Sequence, residues 1–531
     1  MKTNKQLVLA SALLLLTAGG CKEDDIYVSD KFDRPLNAAA PIVKIEGTAK
    51  GAMERWMENT KWEADEDGLL KLIYVSRDSA NATDAVKLAD ITFSGKGTAV
   101  PSTADNNANA TLRTSYWDSE DGQRFDYIKL GGGTLRVTSP AYPSTAGTAK
   151  LRVRDKNGVI DDATKRNMSA SWALSDGIDS LIDLTGFEVE PLKTADGHYY
   201  VSVVVEFTDI NGSVDYEVNG VYQDMKIAEA RGYFGNHYML SDVSRMTISA
   251  FDELDYAQGI EFWDAKVDVA LSSTVGAPLE WDLGDITYYN GHGKKNGTLA
   301  TARSVKFPQQ SYADFVSTGT LTPQTQSFQF NQDNSNIFDA VNAHPRTYDF
   351  TQSLIANPDG EVDGETNFVT SDSYFSSEVK TTIPLWVRIS KLSYSEKADF
   401  DFQDIFDDEN IEYVDTLKLK ITSDNGMPVK CYAQGFFLAD GKAVGELYDD
   451  YTVVALTAPL DANDVVTGTS HKETVKVLTQ EDIRKYYELG VDELYFDCYV
   501  TTEDTEDRFV KIFSHYTTQV KLSVEISSSV K

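Results

Sequence analysis

Cysteine is almost absent from this chain. Its 531 residues contain three, Cys21, Cys431 and Cys498, so no disulfide scaffold and no cysteine-rich metal knuckle organises it. Compact metal and catalytic spacings are missing as well. The six histidines, His198, His237, His292, His344, His471 and His515, nowhere form His-Glu-x-x-His or another close zinc pattern. There is no Gly-x-Ser-x-Gly elbow and no phosphate loop. Cations are scarce: 49 Lys and Arg stand against 83 Asp and Glu, a net charge of −34. That balance opposes nucleic acid and anionic lipid surfaces as partners, since both need cationic neutralisation. Long apolar runs are limited to one, close to the start. The expectation from these absences is a non-enzymatic protein with no cofactor and no metal.

What is present begins with an address. Lys2 and Lys5 precede an apolar run from Leu7 to Ala18. At about 12 residues this matches a signal-peptide core and falls short of the ~20 that a membrane helix needs. Ala18, Gly19 and Gly20 then lead to Cys21. The arrangement resembles a lipobox, in which the cysteine is acylated and becomes the first mature residue. Gly19-Gly20 departs from the stricter Ala/Ser-Gly form, and an ordinary signal peptide with an unrelated cysteine is the plain alternative. Lys22-Glu23-Asp24-Asp25 resembles the surface-export signal of Bacteroidetes lipoproteins; a solvated acidic tether is the simpler reading. Two or three acyl chains suffice for stable anchoring, whereas one is marginal. The expected location is the outer membrane, lipid-anchored through Cys21 (a palmitate-type modification) and facing the exterior.

From Pro41 onward the pattern is β. Val201, Val203, Val205 and Phe207 share one face; Leu417, Leu419 and Ile421 alternate with Lys418, Lys420 and Thr422. Val520, Leu522, Val524 and Ile526 alternate with Gln519, Lys521, Ser523 and Glu525. Period 2 with one polar face means a sheet packed on one side and wet on the other. Asn211-Gly212, Asp196-Gly197, Asn425-Gly426 and Asp440-Gly441 read as hairpin turns, where positive φ is cheap. The best helix is Gln480 to Leu489, capped by Thr479 with Asp482 three residues on. A second candidate runs from Ala52 to Asn59.

Short strands with frequent turns indicate an all-β protein of tandem antiparallel β-sandwich (immunoglobulin-like) domains with few short helices. The chain is too long for one ordinary core. The expected division is a signal peptide over 1–20, an acylated tether over 21–40, an N-terminal β domain over 41–215, a middle β domain over 216–380 and a C-terminal β-sandwich over 381–531. Cys431 and Cys498 both fall in predicted strands of the last domain. One disulfide between them and two buried thiols remain open alternatives.

Candidate chemistry is sparse. Asp155-Lys156-Asn157-Gly158-Val159-Ile160-Asp161-Asp162 and Asp404-Ile405-Phe406-Asp407-Asp408-Glu409 have closely spaced oxygens of the kind hard cations want. The first lacks the third alternating ligand and the terminal Glu, so a hairpin turn is the better reading; the second reads as a solvated acidic loop. A glycosidase needs two opposed carboxylates, and no local signature nominates a pair. Trp281 and Tyr288-Tyr289-Asn290-Gly291-His292-Gly293 sit in a glycine-rich context where a ring could stack on a sugar. A hairpin with its tyrosines packed inward is the competing reading.

Trp62-Glu63-Ala64-Asp65-Glu66-Asp67-Gly68-Leu69, Gly232-Tyr233-Phe234-Gly235, Val275-Gly276-Ala277-Pro278, Asn425-Gly426-Met427-Pro428 and Phe436-Phe437-Leu438-Ala439-Asp440-Gly441 together resemble a family of uncharacterised Bacteroidetes surface lipoproteins. The resemblance covers about Pro41 to Glu525. It implies tandem sandwiches and surface lipidation, and supplies no catalytic residues. The expected role is non-catalytic binding, toward glycan or another nutrient polymer, beside an uptake-system partner. A structural or adhesive fimbrillin-like subunit, with the strand from Gln519 to Ser527 donated to a neighbour, is the alternative. A polysaccharide hydrolase is the third reading.

Overall fold

The computed structural model describes residues 37–56, 62–86, 90–103, 105–116, 123–154, 170–248, 251, 259–362, 366–406, 408, 411–505 and 508–528. Cys21 and the 155–162 loop lie outside the described residues. The fold is all-β: antiparallel sheets arranged as tandem sandwiches, with a few short helices.

The N-terminal sandwich is built on two long partners, Arg124–Ser139 and Val214–Tyr233. Ile91–Ala99 pairs with the first half of Val214–Tyr233, and Ile178–Asp183 with Arg124–Ser139. The opposing sheet runs Ala108–Arg113, Ser202–Thr208, Thr148–Val153, Ala170–Ala173. The long pair bends where Gly131-Gly132-Gly133 meets Gln223–Lys226, with a register shift there. Gly133 has φ 118° and a side chain on it would press to 2.9 Å from the Met225 Cα, so only glycine takes the bend. Beyond the bend the same strand pairs with Asn367–Thr370 and so reaches into the next unit.

The middle sandwich stacks Trp62–Ala64, Leu70–Asn81, Tyr374–Pro384, Lys266–Ser273 and Gln324–Phe330 against a sheet centred on Thr347–Ala356. A polar bridge crosses its interior. Gln352 accepts from Trp281 Nε1 at 3.2 Å and Ser377 Oγ at 3.1 Å, and donates to Asp78 at 2.6 Å. Ser244 donates to the same Asp78 oxygen at 2.7 Å. Trp281 is fully buried and Gln352 nearly so.

The C-terminal sandwich has one sheet in the order Asn37–Thr48, Thr517–Ser528, Val414–Asn425, Ser470–Thr479. Its companion runs Leu392–Asp399, Glu493–Thr501, Lys430–Ala439, Lys442–Glu446, with Thr452–Ala455 also paired to Lys430–Ala439. Leu417, Leu419, Leu522, Val524 and Ile526 are buried as their alternation requires. Ser423 and Thr474 hydroxyls donate to the Val454 and Val453 carbonyls at 2.7 and 3.0 Å, tying the two sheets. The helix Gln480–Glu488 has the expected capping box of Thr479 and Asp482. A shorter helix, Ala49–Trp56, follows the first strand.

Several expectations are corrected. The chain does not divide at 215/216 and 380/381: the first cut falls inside Val214–Tyr233 and the second inside Tyr374–Pro384. The tether expected over 21–40 ends earlier, because a strand starts at Asn37. The units are also discontinuous. Asn37–Thr48 completes the C-terminal sheet by pairing with Thr517–Ser528, and Leu70–Asn81 completes the middle one by pairing with Tyr374–Pro384. Ser202–Thr208 and Val214–Tyr233 are not a hairpin, since they belong to different sheets. Asp209 (φ 57°) and Gly212 (φ 90°) turn a corner from one sheet to the other. The same is true of Asn425-Gly426, whose flanking strands lie in opposite sheets of the C-terminal sandwich. Asp440-Gly441, with φ 49° and 72°, does form the predicted tight hairpin. Thr517–Ser528 is flanked by strands of its own chain on both sides, so it is not an edge.

Candidate functional site

The two outer faces of the C-terminal sandwich are chemically unlike. One carries cross-strand ion pairs, Lys418 with Glu525 and Lys420 with Glu473, a His471–Asp424 hydrogen bond, and exposed Val477 and Val475 opposite the two lysines. Exposed pairs of this kind contribute little each, and together they mark a solvated surface.

The other outer face is aromatic. Alternation along Lys430–Ala439 and Glu493–Thr501 sends Cys431, Ala433, Leu494, Cys498 and Val500 inward and leaves the intervening residues on the other side, where Gln434 is buried and accepts from the Gly435 amide. Three rows result: Tyr432 opposite Tyr499, Gln434 opposite Asp497, and Phe436 opposite Tyr495. The neighbouring strand adds Ser393, Ser395 and Lys397 to the same rows. Tyr432 and Tyr499 are partly exposed and stack with centroids 4.8 Å apart at 14°. Tyr451 meets Tyr499 edge-on at 5.1 Å. Phe436 and Tyr495 lie 6.1 Å apart and tilted by 41°.

Charge is arranged around these rings. Lys430 Nζ lies 5.3 Å from the Tyr432 centroid and bonds Glu503 and Asp504, both at 3.1 Å. Burial alone would lower the Lys430 pKa, but the hydrogen bonds with Glu503, Tyr432 and Asp504 outweigh it and hold it above the ordinary lysine value. Tyr432 donates to Glu503, and Tyr451 to Asp497 at 2.7 Å. The Glu503 bond, then burial, raises the Tyr432 phenol, while burial and the Asp497 bond push Tyr451 up to about 12. Both therefore stay neutral donors at physiological pH. The face offers ring edges, phenol oxygens, hydroxyl and carboxylate groups, which is what a polyhydroxylated ligand needs: apolar contact with hydrogen-bond partners beside it.

The sequence reading does not single out Tyr432, Tyr451, Tyr495, Tyr499 and Phe436 as site residues. The signal was the aromatic phase of Tyr495-Phe496-Asp497-Cys498-Tyr499, alternating about a buried cysteine. The residues that the sequence brings up for weighing lie elsewhere. Trp281 is core, on Leu279–Leu283. Tyr288 is buried in a hairpin whose turn is held by Asn290, which accepts from the His292 and Lys294 amides. Asp404 belongs to the short helix Phe402–Ile405. Among the described residues, no three His, Cys, Asp or Glu side chains gather as metal ligands would. Cys431 and Cys498 are buried thiols, so the disulfide left open by the sequence is not formed here. Cys431 sits opposite Val500 and Cys498 opposite Ala433. That diagonal register separates backbones by about 7–8 Å, more than a disulfide usually spans.

No family profile and no curated protein matches the chain. Among solved structures, a protein of Parabacteroides distasonis described as secreted is similar at 13% identity and TM-score 0.28, over 57% of this chain and 83% of its own. A structure of infectious bursal disease virus, Gt strain, is similar at 8% identity and TM-score 0.15, over 88% and 82%. PNGase F, a glycosylasparaginase from Flavobacterium meningosepticum, is similar at 12% identity and TM-score 0.15, over 55% and 95%. Likenesses of this depth carry no argument about function.

Proposed function

We propose that this chain is an outer-membrane lipoprotein, displayed on the cell surface, that binds glycan or another nutrient polymer without catalysis, beside an uptake system. The observation that carries the reading is the contrast between the two outer faces of one sandwich. The Lys418–Glu525 side is ion-paired across strands, with valines rather than rings opposite its lysines. Spending tyrosines and a phenylalanine on the other face, in register with Asp497, makes sense for a contact surface.

Anchoring gives that surface its place. Fifteen residues separate Cys21 from Asn37, and they span at most about 50 Å. Because Asn37–Thr48 pairs with Thr517–Ser528, the sandwich carrying the tyrosine face is the one tied closest to the lipid. Among the described residues, no helix is long and apolar enough to cross a membrane, and the lipid on Cys21 would supply the attachment.

Affinity electrophoresis of the mature chain through gels containing dietary and host polysaccharides tests the binding role. Retardation in at least one gel is expected; unaltered mobility in all of them contradicts it. Palmitate incorporation lost in Cys21→Ala, with protease accessibility on intact cells, tests the anchor.

A further inference from the structure

We propose that the corner made by Tyr451, Tyr499 and Tyr432 is a receptor for an ammonium group, filled here by the chain's own Lys391, and that the polymer bound is a glycan with free amino groups. The inference rests on the reading of this face as the binding surface, and names the class of ligand it selects.

Lys391 is exposed, at the junction between Trp386–Ile389 and Leu392–Asp399. Its Nζ lies 4.9 Å from the Tyr499 centroid and 5.5 Å from that of Tyr451, within the ~6 Å over which an aromatic face attracts a cation. In a chain with 83 carboxylates, Lys391 makes no ion pair among the described residues. Its neighbours differ: Lys430 is held by Glu503 and Asp504, and Lys397 by Glu493. The Lys391 ammonium is therefore placed by two ring faces rather than by a charge. Lys430 covers the far side of the pair, over Tyr432, so the Tyr499–Tyr451 corner is the accessible cationic position.

This arrangement discriminates between sugars. A neutral ring reaching the Tyr499 face must displace an ammonium and offer nothing charged in return. An acidic sugar meets Asp497, Glu503 and Asp504, already engaged by Tyr451, Tyr432 and Lys430. The charges of Glu503 and Asp450 also reach Tyr499. An amino sugar replaces like with like: its ammonium takes the Lys391 position, and its hydroxyls find carboxylate acceptors at the rim. The net charge of −34 steers such a ligand inward.

The test is calorimetric titration of the full mature chain, in mildly acidic buffer, with linear glucosamine oligosaccharides and with their fully N-acetylated counterparts. The amine series is expected to bind about tenfold more tightly than the acetylated series, and Tyr499→Ala to remove about that factor. Lys391→Ala and Lys391→Gln, each with an unchanged melting temperature, are expected to tighten binding of the amines severalfold, because the internal competitor is gone. Equal binding of the two series, or weaker binding in both Lys391 variants, overturns the inference. If neutral or acetylated glycans bind and amines do not, this inference fails while the binding role stands. If no glycan binds at all, both fail.

Discussion

Gln352 joins the two sheets of the middle sandwich through Ser377 and Asp78 and holds Trp281 of its own sheet, and each partner would be left unsatisfied in a different way without it. The Trp281 indole N–H would lose its acceptor, Ser377 its own, and Asp78 one of two donors. A buried polar group stripped of its partner costs roughly 1–3 kcal/mol, more if charged. Gln352→Leu keeps the volume and removes the bonds, so it should destabilise the middle unit by about 3 kcal/mol, read as a shift in the urea midpoint followed by Trp fluorescence. A change under about 0.5 kcal/mol would contradict the bridge. The sequence held half of this. Leu279-Glu280-Trp281-Asp282-Leu283 alternates cleanly, and its burial follows. The partner of Trp281 lies 71 residues away, and no local pattern announces it.

At the scale of elements, the helix Gln480–Glu488 was fully legible because capping is a local interaction. Its Thr479 side chain accepts from the Asp482 amide, and Asp482 accepts from the Thr479 amide at 2.9 Å. That amide bond, with the Thr479 hydroxyl, holds the Asp482 carboxyl below the usual carboxylate range against the opposing effect of burial. A carboxyl with a depressed folded pKa stabilises above its unfolded value, near 3.9, and the stabilisation is lost as pH falls through the folded value. Thr479→Ala should cost about 1 kcal/mol, speeding amide exchange in this helix about fivefold at neutral pH. The difference from wild type should narrow at pH 3. A difference that persists undiminished there would contradict the carboxylate's part in the cap. Turn chemistry was less decisive than capping. Asp440-Gly441 closes a hairpin, whereas Asn425-Gly426 and Asn211-Gly212 lie between sheets. A turn dipeptide specifies the local backbone and not whether the next strand pairs with the last.

The whole molecule is held together by pairings far apart in sequence, which is why its units could not be cut from turn signals. Thr48 lies opposite Thr517, and Asn81 opposite Tyr374. The sandwich class was readable from period-2 alternation; the discontinuous assembly was not, because period 2 is the same whichever strand is the neighbour. The tyrosine face stayed hidden for the same reason. Tyr432 and Tyr499 are 67 positions apart in the chain, and only the register between their strands makes them a pair. The closing strand has its own consequence. Removing residues 22–48 strips Asn37–Thr48 from Thr517–Ser528 and leaves a long alternating strand as an open edge. The C-terminal transition in calorimetry should fall by on the order of 10 °C, with the other transitions unmoved and self-association increased. An unchanged C-terminal transition would show that the first strand is dispensable.

The measurement that bears most directly on the account compares the two faces of one sandwich. Tyr432→Ala with Tyr499→Ala alters the aromatic side, and Lys418→Ala with Glu525→Ala alters the ion-paired side; both are titrated with the polysaccharide that most retards the wild-type chain. At least a tenfold loss of affinity is expected for the tyrosine variant, from two stacking residues worth about 1 kcal/mol each, and wild-type affinity for the charge variant. Equal losses from both, or loss only from the charge variant, would contradict it.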